Sequence, residues 1–277
     1  MITRRNLLLG GAAAGLSGCT LLDGLTGDSG LRAVLQSAEH LTMAAQRLLL
    51  GDRLAPEFAQ ADIRQGQHPN GSTSVSSAEY LALQAGGFAD YRLEVGGLVE
   101  RPLSIPYRDL TALPARTQIT RHDCVEGWSC IAKWTGVPLS VILDQARPLL
   151  NARYAVFHCF DAIEKGLSGE VLYYESIDMV DARHPQTILA WGMNDRALPM
   201  ENGAPIRLRV ERQLGYKMAK YVRRIELVDS FASLAAGRGS YWADRGYEWY
   251  AGICADVAGA VHQAVNGFLH GPALAGA

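Results

Sequence analysis

The sequence predicts an α+β fold dominated by sheet, in one large mixed domain with short helices. Two observations carry this. First, several segments alternate apolar and polar residues with the period of a strand. The clearest is Ile206, Leu208 and Val210 set between Arg207, Arg209 and Glu211, which reads as a half-buried strand. Second, helical periodicity is confined to short stretches once the first fifty residues are passed.

The elements follow in chain order. Thr3-Arg4-Arg5-Asn6-Leu7-Leu8-Leu9 and the small apolar run after it have the layout of an export signal. The paired arginines resemble a twin-arginine signal. Leu7 and Leu9 stand where that signal usually has Phe and often Lys. Leu16-Ser17-Gly18-Cys19 resembles a lipobox, which implies lipidation of Cys19 and cleavage just before it. Residues 1–19 are therefore expected to be a twin-arginine lipoprotein signal peptide. The mature protein is expected to be periplasmic or at the cell surface, lipid-anchored to a membrane. The twin-arginine route exports folded proteins, as a cofactor loaded in the cytoplasm requires.

Residues 20–57 read as a tether and packing helix, with Leu31, Val34, Leu35, Ala38, Leu41, Ala45 and Leu48 at helical spacing. Residues 58–277 read as the main folded domain. Its opening is loop: Pro56, Gly66, Pro69, Gly71 and a Ser/Thr run punctuate residues 51–79. Strands are expected at Tyr91–Val95, Thr117–Thr120, Tyr154–Phe160, Thr187–Trp191 and Val222–Val228, with a turn at Asn194-Asp195. A helix is expected over Pro138–Gln145, with proline near its first turn.

Composition narrows the function. A net charge of −2 gives no reason to expect nucleic acid as a partner. No apolar run reaches the roughly 20 residues of a membrane span. Five cysteines in 277 residues are not a disulfide scaffold, and none form C-x-x-C pairs. Cys124 stands out, in Arg121-His122-Asp123-Cys124-Val125-Glu126-Gly127-Trp128-Ser129. Positive neighbours at Arg121 and His122 would favour a thiolate able to bind a soft metal. The same neighbours would suit a Cys–His hydrolase, and a buried structural thiol is the third reading.

Cys124-Val125-Glu126-Gly127-Trp128-Ser129, then Trp134-x-Gly136-x-Pro138-Leu139, then Asn202-Gly203-Ala204-Pro205-Ile206-Arg207 resemble the sulfite oxidase superfamily of molybdopterin enzymes. They are nearest to the bacterial periplasmic catalytic subunits that reduce methionine sulfoxide in proteins. The resemblance runs from about residue 58 to residue 251. It implies a sulfite-oxidase-type molybdopterin-binding fold and a molybdenum–molybdopterin cofactor with Cys124 as the metal thiolate. It also implies cofactor contacts at Asn202, Arg207, Lys217, Met218, Ala219 and Lys220, with Asn70 and His68 in the early loop and Cys159 where the family has threonine. Arg121, Glu126 and Trp128 are expected to face substrate or support the site. Glu126 to Trp128 replace the arginine-bearing stretch of sulfite oxidases proper, which disfavours a dianion. The aromatics Tyr241, Trp242, Tyr247, Trp249 and Tyr250 are expected to line the mouth or to pack in the core.

The expected activity is oxygen-atom transfer such as sulfoxide reduction on a small organic or sulfur-containing substrate. Sulfite oxidation is the runner-up, and a non-catalytic cofactor- or partner-binding lipoprotein is the reading from another class. No C-x-x-C-H haem motif occurs. No haem is therefore expected in this chain, and electrons are expected from a separate carrier such as a membrane cytochrome.

Overall fold

The computed structural model describes residues 41, 43–48, 51–64, 66, 68–166 and 169–253. The chain divides into two compact units, Met1–Gly51 and Asp52–Ala277. In the first, residues 43–48 are helical, in keeping with the spacing of the apolar residues. The export-signal segment, Cys19 and Cys254 lie outside the described residues.

The second unit contains two sheets. One has the order β2-β1-β10-β5-β6, built from β1 (Arg92–Gly97), β2 (Leu103–Pro106), β5 (Tyr154–Gly166), β6 (Gly169–Asp178) and β10 (Val222–Val228). Only its β1–β10 pair is parallel. The other has the order β3-β4-β7-β8, from β3 (Arg116–Asp123), β4 (Ser129–Pro138), β7 (Ile188–Met193) and β8 (Arg196–Ala197), with β9 (Arg207–Arg209) paired to β7. Among the described residues, four short helices connect them: α1 (Ala78–Ala85), α2 (Tyr107–Ala112), α3 (Leu139–Ala146) and α4 (Met179–Ala182). This is the sheet-dominated α+β fold that the alternating segments predict.

Each expected strand forms, with ends displaced by a few residues. The helix expected over Pro138–Gln145 is α3. Leu139, Ile142, Leu143 and Ala146 fall on one stripe and are buried. The Asn194-Asp195 turn has both residues at positive φ, 51° and 62°, the conformation of a tight hairpin turn. Helix α1 is not visible as an apolar pattern, because Tyr80 is its only buried residue. Its start is set by Ser77, whose side chain accepts from the Tyr80 N–H at 3.2 Å.

The main core joins Leu93, Val95, Phe157, Ile225 and Leu227 of the first sheet to α3 and to Leu189 and Leu208 of the second. The opposite face of the second sheet packs a smaller cluster of Ala132, Trp134, Ile188, Ala190, Met193 and Leu198. Strand β7 thus buries both faces. So does β9, which corrects the half-buried reading of Ile206–Val210: Arg207 and Arg209 are each 0% exposed. Their guanidinium planes lie against the Trp134 ring at 5.1 and 4.3 Å from its centroid. An alternating charge is ordinarily a solvated face. Here its place is taken by a buried aromatic that guanidinium can stack on.

Candidate active site

Cys124 sits at the tip of the β3–β4 hairpin. Register pairs Asp123 with Ser129, so residues 124–128 form the turn. Cys124 N–H donates to Trp128 O at 2.9 Å and Gly127 N–H donates to Cys124 O at 3.1 Å. Gly127 takes φ 87°, a conformation that L side chains resist. The turn is therefore held by its backbone, and the Cys124 thiol meets the Val125 and Glu126 N–H groups and the Glu126 carboxylate.

A cavity of about 150 Å³ opens beside this turn. Cys124, Val125 and Glu126 form one wall; Asn70, Gly71 and Ser72 another; Asp161, Ile163 and Tyr173 of the β5–β6 pair a third. Tyr216, Met218 and Lys220 close it from the segment after β9, and Trp242 and Tyr247 stand over it. The segment after β9 comes close to the hairpin because position 215 is glycine. A Cβ there would fall 2.4 Å from His122 Nε2.

The cationic side of this cavity is not neutralised. Arg207 donates to Asn202 O at 3.0 Å, to Asn70 Oδ1 at 3.4 Å and to Met218 O at 3.4 Å. Lys220 donates to Ser72 O and to Glu201 O. All these acceptors are uncharged, and neither cation has a carboxylate partner in ion-pair range among the described residues. Burial, then the neighbouring Arg209, holds Arg207 down to about 9. Burial, then Arg207, holds Lys220 down to about 7. Arg207 Nε and Asn202 Nδ2 are buried donors with no partner. A buried excess of positive charge with spare donors is costly alone and complementary to a bound anion. The residues present therefore fit a group carrying a phosphate.

Lys220 yields a test of this electrostatics. An unfolded lysine titrates near 10.4. Between about pH 7 and 10 the unfolded chain keeps a proton that the folded, ligand-free chain has released. Stability of the ligand-free protein is therefore expected to rise through that window. Lys220→Met should flatten the rise in thermal melts from pH 7 to 10; an unchanged slope would contradict the assignment.

The other expected residues are placed as follows. Met218 lines the cavity, and Asn70 lines it while its Nδ2 donates to Gly215 O at 3.3 Å. Asn202 and Arg207 stand behind it. Ala219 is buried, its carbonyl accepting from Leu208 N–H at 2.8 Å. Lys217 does not reach the cavity: its ammonium is fully buried against Glu175 and lies 5.1 Å from the Trp249 ring centroid. Cys159 is buried in β5 and lines a separate groove of about 490 Å³ with His158 and Arg224. Its thiol lies 3.9 Å from Phe157 O.

Arg121 alternates away from the buried face of β3 and pairs with Asp123 at 2.8 Å. Trp128 packs against His122 (5.5 Å between centroids) and His68 (5.3 Å, edge on), and donates to Glu126 at 3.0 Å. His68 and Trp128 thus brace the turn rather than line the cavity. Glu126 does line it.

The two neighbours expected to ionise Cys124 do not. Arg121 is turned to Asp123. His122 is buried, accepts at Nδ1 from Arg209 at 2.9 Å, and is held neutral by burial and by the adjacent arginines. Burial pushes the Cys124 thiol up; the Glu126 backbone N–H pulls it back, and the Glu126 carboxylate adds to the rise. That is a poor setting for a free thiol nucleophile, which removes the physical basis of the hydrolase reading. Cys124, Cys130 and Cys159 are all free thiols.

The sequence reading missed Ser72, Asp161 and Tyr173 as cavity residues. Nothing in their local pattern marks them, because they meet the site only through pairing across β5, β6 and the early loop. Of the aromatic cluster, Trp242 and Tyr247 reach the cavity. Tyr241 instead donates to Glu164 at 2.6 Å, and Trp249 donates to Ser176 at 2.8 Å.

A family model described as the oxidoreductase molybdopterin binding domain matches residues 82–233. A protein of Azospira oryzae named "Putative protein-methionine-sulfoxide reductase subunit YedZ1" is 35% identical over 250 residues, 90% of this chain and 86% of that protein. The protein-methionine-sulfoxide reductase catalytic subunit MsrP of Ralstonia nicotianae is 37% identical over 145 residues, 50% of this chain and 44% of its own length. Among solved structures, the sulfane dehydrogenase SoxCD from Paracoccus pantotrophus is 28% identical, with a TM-score of 0.45, and the match covers 51% of this chain and 39% of that one. Matched over more than half its length by the family model, and over most of it by a relative, the chain belongs to the oxidoreductase molybdopterin binding domain family and is a molybdopterin-dependent oxidoreductase.

Proposed function

We propose that this enzyme reduces sulfoxides at the cell envelope, with Cys124 as the molybdenum ligand. The observation that carries this is the placement of the Cys124 turn across one cavity from the unneutralised Lys220, with Arg207 and Asn202 behind. When bound, the molybdenum–pterin group supplies two-electron oxygen-atom transfer chemistry. The chain supplies the rest. Cys124 offers a soft sulfur on a turn whose own backbone bonds hold it still. Asn70, Asn202, Arg207 and Lys220 offer donors to the pterin and its phosphate, and Met218 lines the cavity beside them. Trp242, Tyr247, Tyr216, Val125 and Ile163 line it with aromatic and apolar side chains.

Glu126 is the acidic group on the Cys124 wall, and it favours a neutral or cationic substrate over sulfite. Both curated relatives carry methionine-sulfoxide reductase names, which supports the same direction. The paired arginines and Leu16-Ser17-Gly18-Cys19 support twin-arginine export and a lipid anchor at Cys19. With no C-x-x-C-H motif in the sequence, electrons come from a separate carrier, and a membrane cytochrome is the class an anchored enzyme would meet.

The test is metal analysis of the purified protein followed by turnover of sulfoxides, N-oxides and sulfite with a dye carrier. About one molybdenum per chain and sulfoxide-dependent dye oxidation are expected. Sulfite-dependent dye reduction in their place would favour the runner-up, and a metal-free, inactive protein would favour the binding lipoprotein. Trp242→Ala is expected to raise KM for sulfoxide about tenfold, the scale of one lost aromatic contact, with a smaller change in kcat. An unchanged KM would remove Trp242 from the substrate wall.

A further inference from the structure

Strand β6 ends its sheet: among the described residues its strand partner is β5 alone. Part of its outer edge is covered, since Tyr241 N–H donates to Tyr174 O at 3.0 Å. The Tyr174 main chain therefore points away from β5. Main-chain direction repeats every two residues along a strand, so the Leu172 N–H and C=O point the same way. The slips in pairing leave this intact. His158 to Ala162 stands opposite Tyr174 to Leu172, so the extra residues lie in β5 and β6 stays regular. Among the described residues no hydrogen bond meets the Leu172 main chain on its outer side. Leu172 is 43% exposed and Val171 38%. An open strand edge that carries exposed apolar side chains is a template for a further strand.

Two cavities flank this edge. Tyr173 lines the cavity that holds Cys124. Leu172, Tyr173 and Tyr174 line the groove of about 490 Å³, together with Leu234 and Ala235. Trp242, which lines the Cys124 cavity, directly follows Tyr241, which covers the edge at Tyr174. The open stretch of β6 thus runs beside the cavity, with the groove on the opposite face of the strand. Side chains of a strand point alternately to its two faces. A strand added along β6 would send one side chain toward Cys124 and the next toward the groove.

We propose that the free edge of β6 at Leu172 docks the main chain of an extended substrate polypeptide and so presents its sulfoxide side chain to the Cys124 cavity. The inference rests on the sulfoxide-reducing reading above and adds how the substrate is held. A small free sulfoxide needs only the cavity, which leaves the edge and the groove without a use; an extended chain engages all three. Main-chain hydrogen bonds supply affinity whatever the sequence, and the side chain beside the sulfoxide meets Leu172 and Leu234, which favours an apolar one there.

The test uses full-length enzyme with its cofactor, a dye electron donor and two substrates. One is dimethyl sulfoxide; the other is a short extended peptide with one methionine sulfoxide. The peptide is also made with a single N-methyl group at each amide in turn. Unmodified peptide is expected to exceed dimethyl sulfoxide at least tenfold in kcat/KM. N-methylation is expected to lower kcat/KM about tenfold, the scale of one lost main-chain hydrogen bond, at alternate amides only, since the others point away from β6. Leu172→Pro removes the outer N–H and no β5–β6 bond. It is expected to lose about tenfold on the peptide while dimethyl sulfoxide stays within twofold. Leu172→Ala keeps the N–H and should stay within threefold on the peptide. Should Leu172→Pro melt lower than wild type, the methyl scan decides. A flat scan, or one that falls at every amide, overturns the proposal. So does an equal loss in Leu172→Pro and Leu172→Ala, or turnover of dimethyl sulfoxide without the peptide. An enzyme that reduces neither substrate overturns the sulfoxide reading and this inference with it.

Discussion

Cys124→Ala is expected to abolish turnover and leave the fold standing. Chemistry of this kind belongs to the bound cofactor, so removing the sulfur proposed to hold its metal should lower the rate by roughly three orders of magnitude or more. The protein itself should hardly notice. Cys124 is half-buried in a turn closed by the backbone bonds of Cys124, Gly127 and Trp128, and its side chain belongs to no core cluster. A change of this kind, away from the core, costs about 0.5 kcal/mol or less. Turnover, molybdenum content and a thermal melt read together give the answer. Metal-dependent turnover that survives in the alanine variant would sink the assignment of Cys124.

Glu175→Ala is expected to destabilise the chain by about 3–5 kcal/mol, because it strands the Lys217 ammonium in a fully buried site. For a domain of this size that is roughly 10 °C in the melting midpoint. Burial pushes the Glu175 carboxyl up, and Lys217 pulls it back down, so each ion is there on account of the other. The double variant Glu175→Leu with Lys217→Met should recover most of the loss, since it removes both charges and leaves apolar groups of similar size. It should also keep near wild-type cofactor loading. This outcome would separate two roles for Lys217 that its sequence position leaves merged. If loading collapses in the double variant while stability recovers, Lys217 touches the cofactor after all.

The two experiments probe different layers of the same site. The first removes a group aimed at the cavity; the second disturbs a pair that holds the segment after β9 in place from behind. Tyr173 links the layers. Its hydroxyl donates to Tyr216 O at 2.5 Å, and its side chain lines the cavity. The segment bearing Met218 and Lys220 is thus tied to β6 by Tyr173 and by the Glu175–Lys217 pair, two residues apart on one strand.

The residues legible in the sequence were those whose chemistry is unusual for their setting. A cysteine at a polar, aromatic turn, an Asn-Gly-x-Pro string and closely spaced lysines stand out in one dimension, and two of these residues, Cys124 and Lys220, meet at one cavity. Strand periodicity was legible too, because the alternation of Leu93 with Glu94, or of Ile225 with Glu226, reflects a sheet with one face in the core. Cys159 lies outside the lining of the Cys124 cavity, and spacing along a chain does not register a slip in strand pairing. The β5–β6 register shifts just beyond it, and the side chain that reaches the cavity is Asp161 two residues on.

The sheet-rich class and the strands follow from local pattern alone, since hydrophobic period is a property of neighbours in the chain, whereas the role expected of Cys124 follows from the family resemblance. Charge compensation is not local. Whether Arg207, Arg209, Lys217 or Lys220 is solvated, paired or left to meet an anion depends on what the fold sets opposite it: Trp134 from another strand, Glu211 two residues on, Glu175 from the other sheet, or an open cavity. These four buried cations look alike in sequence. Only the packing of the two sheets sorts them into two neutralised by carboxylates and two, Arg207 and Lys220, poised for a bound anion.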